Sequence, residues 1–212
     1  MRRTATAITP SPARRRFLGR AGAGLGAVGL PAVGAGGLGA AGIGAAGIGA
    51  LLGAAPARAA LPVERRLNLV NSHTWERLDI VYFTRGMYID ESLVAIGHLM
   101  RDHRANEERI MDPRLLDDLV TLHASLDTDE PIHLLSGYRT PETNAKLRKR
   151  SKGVAKYSLH MEGKAADIHV PGVATRELRK AALAMRAGGV GYYARSGFVH
   201  IDTGAVRNWE RG

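Results

Sequence analysis

Cysteine is absent from the 212 residues, so no disulfide holds this fold and no thiolate can bind a metal. Any metal site must be built from His, Asp or Glu, a donor set that favours a catalytic over a structural zinc ion. Aromatic residues are scarce, at 5%, and no basic stripe interleaved with aromatics marks a nucleic-acid surface. Acidic residues are missing from the first 59 positions, which carry seven arginines. With that segment set aside, 23 basic residues face 20 acidic ones, a net of +3 in place of the whole-chain +10. The high charge belongs to the leader and is poor support for a nucleic-acid partner. A strongly hydrophobic run is lacking too. The stretch from Ala21 to Ala55 is long enough to span a bilayer, but 14 of the 26 glycines fall between Gly19 and Gly53 and weaken it.

What the leader does contain is a targeting pattern. Arg14-Arg15-Arg16-Phe17-Leu18 matches the twin-arginine signal, and Ala57-Arg58-Ala59 has the small-x-small form of a signal-peptidase site. Residues 1–59 are therefore expected to direct export to the periplasm or cell envelope, touching membrane only through this segment. An uncleaved anchor or a Gly/Ala tail are the competing readings. Twin-arginine export carries folded proteins, so a metal can be loaded before crossing. Residues 60–212 form the expected functional domain. There is no internal repeat, and nothing in the pattern sets an oligomeric state.

The domain reads as mixed helix and strand. Partial alternation over Arg66–Asn71 and Glu76–Tyr82 predicts a hairpin, with His73 at its solvent-exposed turn. Asp90 to His103 is expected to be a helix capped by Asp90 or Glu91, with Leu93, Ile96, Leu99 and Met100 inward and Asp102 to Arg104 as a solvated end. Asp112-Pro113 opens a second helix running to about Ser125, with His123 half-buried. Ile132–Leu135 is a short strand, and Thr140-Pro141 opens a third helix. Lys146 to Lys152 reads as a solvated basic end. Lys164–Val170 is a strand, so Asp167 and His169 share a face. Thr175 to Ala187 is a helix capped by Thr175. Gly188 to Tyr193 is a glycine turn entering a strand, with no lysine or following helix to make a phosphate loop. Phe198–Thr203 is the last expected strand, with His200 and Asp202 on one face.

The chemistry concentrates in Ser158-Leu159-His160-Met161-Glu162-Gly163-Lys164-Ala165-Ala166-Asp167. Gly163 allows a turn that brings His160 back over Asp167. Two imidazoles, His160 and His200, and one carboxylate suit a zinc ion with an open position. A core histidine beside a carboxylate is the plainer reading of spacing alone. Arg139 follows a strand end on the glycine-bearing turn Ser136-Gly137-Tyr138, where its planar fork can meet a carboxylate or an oxyanion.

Ser158-x-His160-x-x-Gly163-x-Ala165-x-Asp167 resembles the zinc motif of the LAS metallopeptidases, the group that includes D-Ala-D-Ala peptidases. Ser136-Gly137-Tyr138-Arg139 is similar to that group's Ser-x-x-Arg segment. Gly189-Val190-Gly191-Tyr192-Tyr193 and Phe198-Val199-His200-Ile201-Asp202-Thr203-Gly204 resemble the YcbK-like murein endopeptidases. The similarity runs from about Leu67 to Trp209. It implies an α+β fold with a small, mostly antiparallel central sheet, helices around it and a zinc cleft on the sheet face. It implies His160, Asp167 and His200 as ligands of Zn2+, and Arg139 as the group that holds a substrate carbonyl or carboxylate and stabilises the oxyanion. The implied substrate is the peptidoglycan stem peptide. Several relatives carry the general base two or three positions before the last ligand. Here those positions are Gly197 and Phe198, which move no protons. Asp202 is the nearest substitute as base, or else orients the His200 ring. His169 is a further candidate, and Glu162 flanks the turn on the exposed side. The expected activity is a murein endopeptidase of cell-wall remodelling. A carboxypeptidase or dipeptidase trimming stem peptides, and a non-catalytic wall-binding domain, remain the alternatives.

Overall fold

A computed structural model describes residues 61–151 and 153–211. The expectations for the leader lie outside these residues. No helix among the described residues is long and apolar enough to cross a membrane.

The described residues begin with the expected hairpin: β1 (Arg65–Asn71) pairs antiparallel with β2 (Arg77–Thr84), and a two-residue strand, β3 (Met87–Tyr88), borders β2. Helix α1 (Asp90–Leu99) follows, then α2 (Pro113–Ala124). Strand β4 (Ile132–Ser136) leads into α3 (Pro141–Arg150), a 3₁₀ turn over Leu159–Glu162, and β5 (Ala165–His169). Helix α4 (Thr175–Met185), β6 (Gly189–Tyr193), β7 (Phe198–Asp202) and β8 (Arg207–Arg211) complete the order. One eight-stranded sheet results, ordered β3-β2-β1-β4-β5-β7-β6-β8. Five neighbouring pairs are antiparallel; β1–β4 and β6–β8 are parallel. The fold is α+β with a mostly antiparallel sheet, larger than the sequence suggests because β3 and β8 carry no strand-like alternation of apolar residues.

The sheet separates core from chemistry by alternation. Ala166 and Ile168 on β5, and Val199 and Ile201 on β7, enter the core with Leu67, Leu69, Ile132 and Leu134. Helices α1, α2 and α4 cover that side with Ile96, Leu115, Leu119, Leu122 and Leu178, each fully buried. Burial of one such side chain contributes about 1.5–3 kcal/mol. The intervening residues Asp167, His200 and Asp202 therefore fall on the opposite face.

Three local expectations are corrected. Helix α1 stops at Leu99, not His103, because Asp102 turns inward: its amide donates to Glu107 O at 2.9 Å, and its carboxylate accepts from the Thr140 amide at 2.9 Å. Asp102 is thus buried and structural, not a solvated helix end. The cap of α1 is Ile89 without a side-chain bond, and Asp90 and Glu91 instead sit in the first turn, where they favour the helix dipole. Helix α4 is capped by Ala174 and ends at Met185, since Arg186 takes the left-handed conformation. By contrast, Asp112 caps α2 and Thr140 caps α3, each with Pro at the first position.

Candidate metal centre and active-site cleft

Asp167 and His200 are direct cross-strand partners in the β5–β7 register. His160 arrives from the 3₁₀ turn. Gly163 ends that turn at φ +69° in the left-handed region, where a side chain is strained and where Ile110 O stands 3.0 Å from any added Cβ. The turn brings His160 Nε2 to 3.3 Å from Asp167 Oδ1 and 3.2 Å from His200 Nδ1. His200 Nδ1 lies 2.8 Å from Asp167 Oδ1. All three residues are buried.

The outer nitrogens of both rings are spoken for. A carbonyl oxygen only accepts, so His160 Nδ1–H donates to Gly137 O at 2.7 Å, leaving the Nε2 lone pair aimed at the other two groups. His200 Nε2–H donates to Asp202 Oδ2 at 3.0 Å. Two ring nitrogens and a carboxylate oxygen thus converge, and each is a lone-pair donor once Nδ1 of His200 gives up the proton it shares with Asp167. Tetrahedral zinc at about 2.0–2.2 Å from each donor needs donors about 3.3–3.6 Å apart. Two of the three separations already match within about 0.1 Å, and the third has only to open slightly. The donor set fits such an ion.

Electrostatics agree. Burial raises the Asp167 pKa, but the facing His160 and His200 outweigh it and hold the carboxyl far below its usual range. Burial lowers that of His160. Burial opposes charge on His200 as well, yet hydrogen bonds to Asp167 and Asp202 push its pKa up to about 9. In short, the pocket is built to hold positive charge between these groups.

Arg139 stands beside this cluster at the end of β4. Burial, the larger influence, lowers its pKa against the pull of Asp167. Nη2 donates to Ser136 Oγ at 3.1 Å and lies 3.6 Å from Asp167 Oδ2; Nη1 reaches Asn144 Oδ1 at 3.4 Å. Its Nε is buried with no partner among the described residues. The guanidinium borders the cleft, where its planar fork suits a ligand oxygen. The cleft is about 520 Å³ and is walled by Tyr157, Tyr193, Phe198, Trp209 and Arg211 around Arg139, His160, Asp167 and His200.

Asp202 is placed differently from the proton acceptor considered above. Its Oδ2 faces the far nitrogen of His200, and Arg207 pairs with both of its oxygens, at 2.7 and 3.1 Å. Burial raises its pKa, but His200 and Arg207 outweigh that and keep it firmly ionised. The placement favours the orienting role. His169 does not join the cluster: its ring lies against His133 across β4–β5, 4.8 Å between centroids. Glu162 is exposed and pairs with Lys164 Nζ at 2.7 Å. His73 is exposed and stacks on His103. Gly197 and Phe198 bring no proton carrier; Phe198 stacks on Tyr193 at 4.3 Å. Sequence reasoning missed Asp102, Arg207, Trp209 and the Gly137 carbonyl. Only Arg207 and Trp209 left a sign, in their period-two spacing just after the last recognised strand.

The Peptidase_M15_2 family model, described as Peptidoglycan L,D-endopeptidase MepK, matches residues 59–209. The chain is 51% identical over 164 residues to peptidoglycan L,D-endopeptidase MepK of Escherichia coli K12, spanning 74% of this chain and 90% of that protein. The same values hold for MepK of Shigella flexneri. The probable peptidoglycan L,D-endopeptidase MepK of Haemophilus influenzae is 38% identical over 155 residues, 73% of this chain and 83% of that protein. No solved structure matches.

Proposed function

The chain belongs to the Peptidase_M15_2 (MepK) family, and from that premise we propose that it is a zinc-dependent endopeptidase that hydrolyses peptide cross-links of peptidoglycan. The observation that carries this reading is the convergence of His160, Asp167 and His200 in a cleft that also holds Arg139. The L,D-endopeptidase activity named for the relatives is extended here to this chain.

When bound by these three residues, zinc supplies Lewis acidity and a nucleophilic water at neutral pH. The protein's own part is positional and electrostatic. Gly137 O fixes the His160 tautomer, and Asp202 fixes that of His200, so each ring offers its inner nitrogen. Arg139, held by Ser136 and Asn144, keeps a guanidinium N–H for the substrate carbonyl or a neighbouring carboxylate. That fixed charge stabilises the oxyanion as it forms.

The leader supports an exported enzyme, carried by the twin-arginine route to the envelope where this substrate resides. Replacing Arg14, Arg15 and Arg16 with lysine should then retain the protein in the cytoplasm.

Purified protein incubated with L,D-cross-linked muropeptides, and mass spectrometry of the products, tests the activity. Cross-link cleavage that a chelator stops and added zinc restores is expected. Intact cross-links at full zinc occupancy would sink the enzyme reading and leave a wall-binding domain. Release of terminal residues alone would make it a carboxypeptidase.

A further inference from the structure

We infer that strand β8 is a positioning device for the metal centre, acting through two side chains that cross over the neighbouring strand. This rests on the metal-site reading above. The register across four strands places Ala165, Asp202, Gly189 and Arg207 side by side. Two residues along, Asp167, His200, Gly191 and Trp209 form a second such line on the same face. In both lines the residue contributed by β6 is glycine.

Those glycines open the way. A Cβ on Gly189 would stand 2.5 Å from both Arg207 Nη1 and Asp202 Oδ2, and one on Gly191 would stand 2.5 Å from Trp209 Cε2. Through the first gap Arg207 forks onto Asp202, Nη2 to Oδ2 at 2.7 Å and Nη1 to Oδ1 at 3.1 Å. Through the second, Trp209 lays its indole against His200, 5.1 Å between ring centroids. The Arg207 guanidinium in turn sits over the Trp209 ring at 5.1 Å, and Trp209 Nε1 donates to the Tyr193 hydroxyl at 3.2 Å. The amides of Gly189 and Gly204 complete the grip on Asp202 Oδ1, at 3.1 and 2.9 Å.

The result is a relay of orientation. Arg207 fixes the carboxylate plane of Asp202, Asp202 fixes Nε2–H of His200, and Trp209 bounds the ring from the side. His200 Nδ1 is thereby kept on the donor cluster. Arg207 is a positioning residue: it acts on the donors only through Asp202. A bidentate fork sets a plane, which a point charge does not.

The sign of one measurement separates this from simple charge. Arg207 is a cation close to a cation site, so Coulomb repulsion alone makes Arg207→Ala bind zinc more tightly. Loss of orientation makes it bind more weakly, by about 10- to 100-fold. Zinc affinity of the full chain is measured by competition with a chromophoric chelator for wild type, Arg207→Ala, Arg207→Lys and Asn208→Ala. The thermal midpoint of each metal-free protein is recorded alongside. The expected result is weak binding by Arg207→Ala, partial recovery in Arg207→Lys and wild-type affinity in Asn208→Ala, the same strand less an exposed side chain outside the relay and the cleft. The visible spectrum of the cobalt-loaded protein should shift with Arg207→Ala. Should Arg207→Ala not fold, Arg207→Lys carries the test, since it keeps the charge and loses the fork. Unchanged or tighter zinc binding in Arg207→Ala, or full recovery in Arg207→Lys, overturns the inference. Wild-type protein that binds zinc no better than His160→Ala overturns the metal reading itself, and is seen before any β8 variant is compared.

Discussion

The Nδ1–H of His160 donates to the carbonyl oxygen of Gly137 at 2.7 Å. That bond determines which nitrogen of the ring faces Asp167 and His200, so the backbone of the β4–α3 turn sets the chemistry of a side chain 23 residues later. Replacing the ring removes one donor and leaves the other two in place. His160→Ala is expected to lose bound zinc and all detectable cross-link hydrolysis while keeping its circular-dichroism spectrum, at a stability cost of about 1–3 kcal/mol. Metal analysis after dialysis checks the first part. Retention of stoichiometric zinc by the variant would refute the ligand assignment.

Arg139→Lys keeps a positive charge but not a fork. The cleft would lose the planar fork that borders it, together with the bonds to Ser136 and Asn144. A fall of about 100- to 1,000-fold in kcat/KM, with zinc content unchanged, is the expected outcome. Steady-state kinetics on a defined muropeptide decide it; activity within a few-fold of wild type would remove Arg139 from the reaction.

Asp102 offers a test by pH. Burial raises its pKa, but hydrogen bonds from Thr143, Thr140 and the Arg104 amide outweigh burial and hold it below the usual carboxylate value. A group depressed on folding stabilises fully above its unfolded pKa, about 3.9, and that stabilisation is lost as pH falls through the folded value. Asp102→Asn should lower stability by about 1–3 kcal/mol near neutrality, because an amide cannot accept on both sides. Its midpoint should then decline less steeply than wild type below about pH 4. Parallel acid limbs in melting curves taken from neutral to acid pH would contradict this account.

Trp75 sits at φ +61° and is 66% exposed, a bulky side chain in a conformation that glycine adopts without strain. Trp75→Gly is expected to raise stability by about 0.5–1 kcal/mol, the relief of left-handed strain less the added freedom of the unfolded chain. For a domain of this size that is a rise of about 1–4 °C in Tm. A lower Tm by calorimetry would mean that the indole makes a stabilising contact.

Much of this centre was legible in the residues. The alternation around Asp167 and around His200 put the right side chains on one face, and Pro-led caps at Asp112 and Thr140 marked two helix starts. The tautomer-fixing carbonyl of Gly137 was not legible, because any residue has a carbonyl. Asp102 was read as solvated because helical periodicity carried the helix past Leu99; tertiary hydrogen bonds to Thr140 outweigh one more helical turn. Arg207 and Trp209 belong to a strand whose burial pattern is mostly exposed. Their role depends on a parallel register with β6 that no local pattern encodes, and Gly189 and Gly191, read as a turn, are the passage they use.

The two borders of the sheet differ in kind. On one side β3 is two residues long and covers only Phe83 and Thr84 of the eight-residue β2; on the other, β8 carries Arg207, Glu210 and Arg211 in exposed positions. A charged border repels the hydrophobic strands that seed fibrils. Copies of the molecule that meet along β8 are therefore kept from zipping edge to edge.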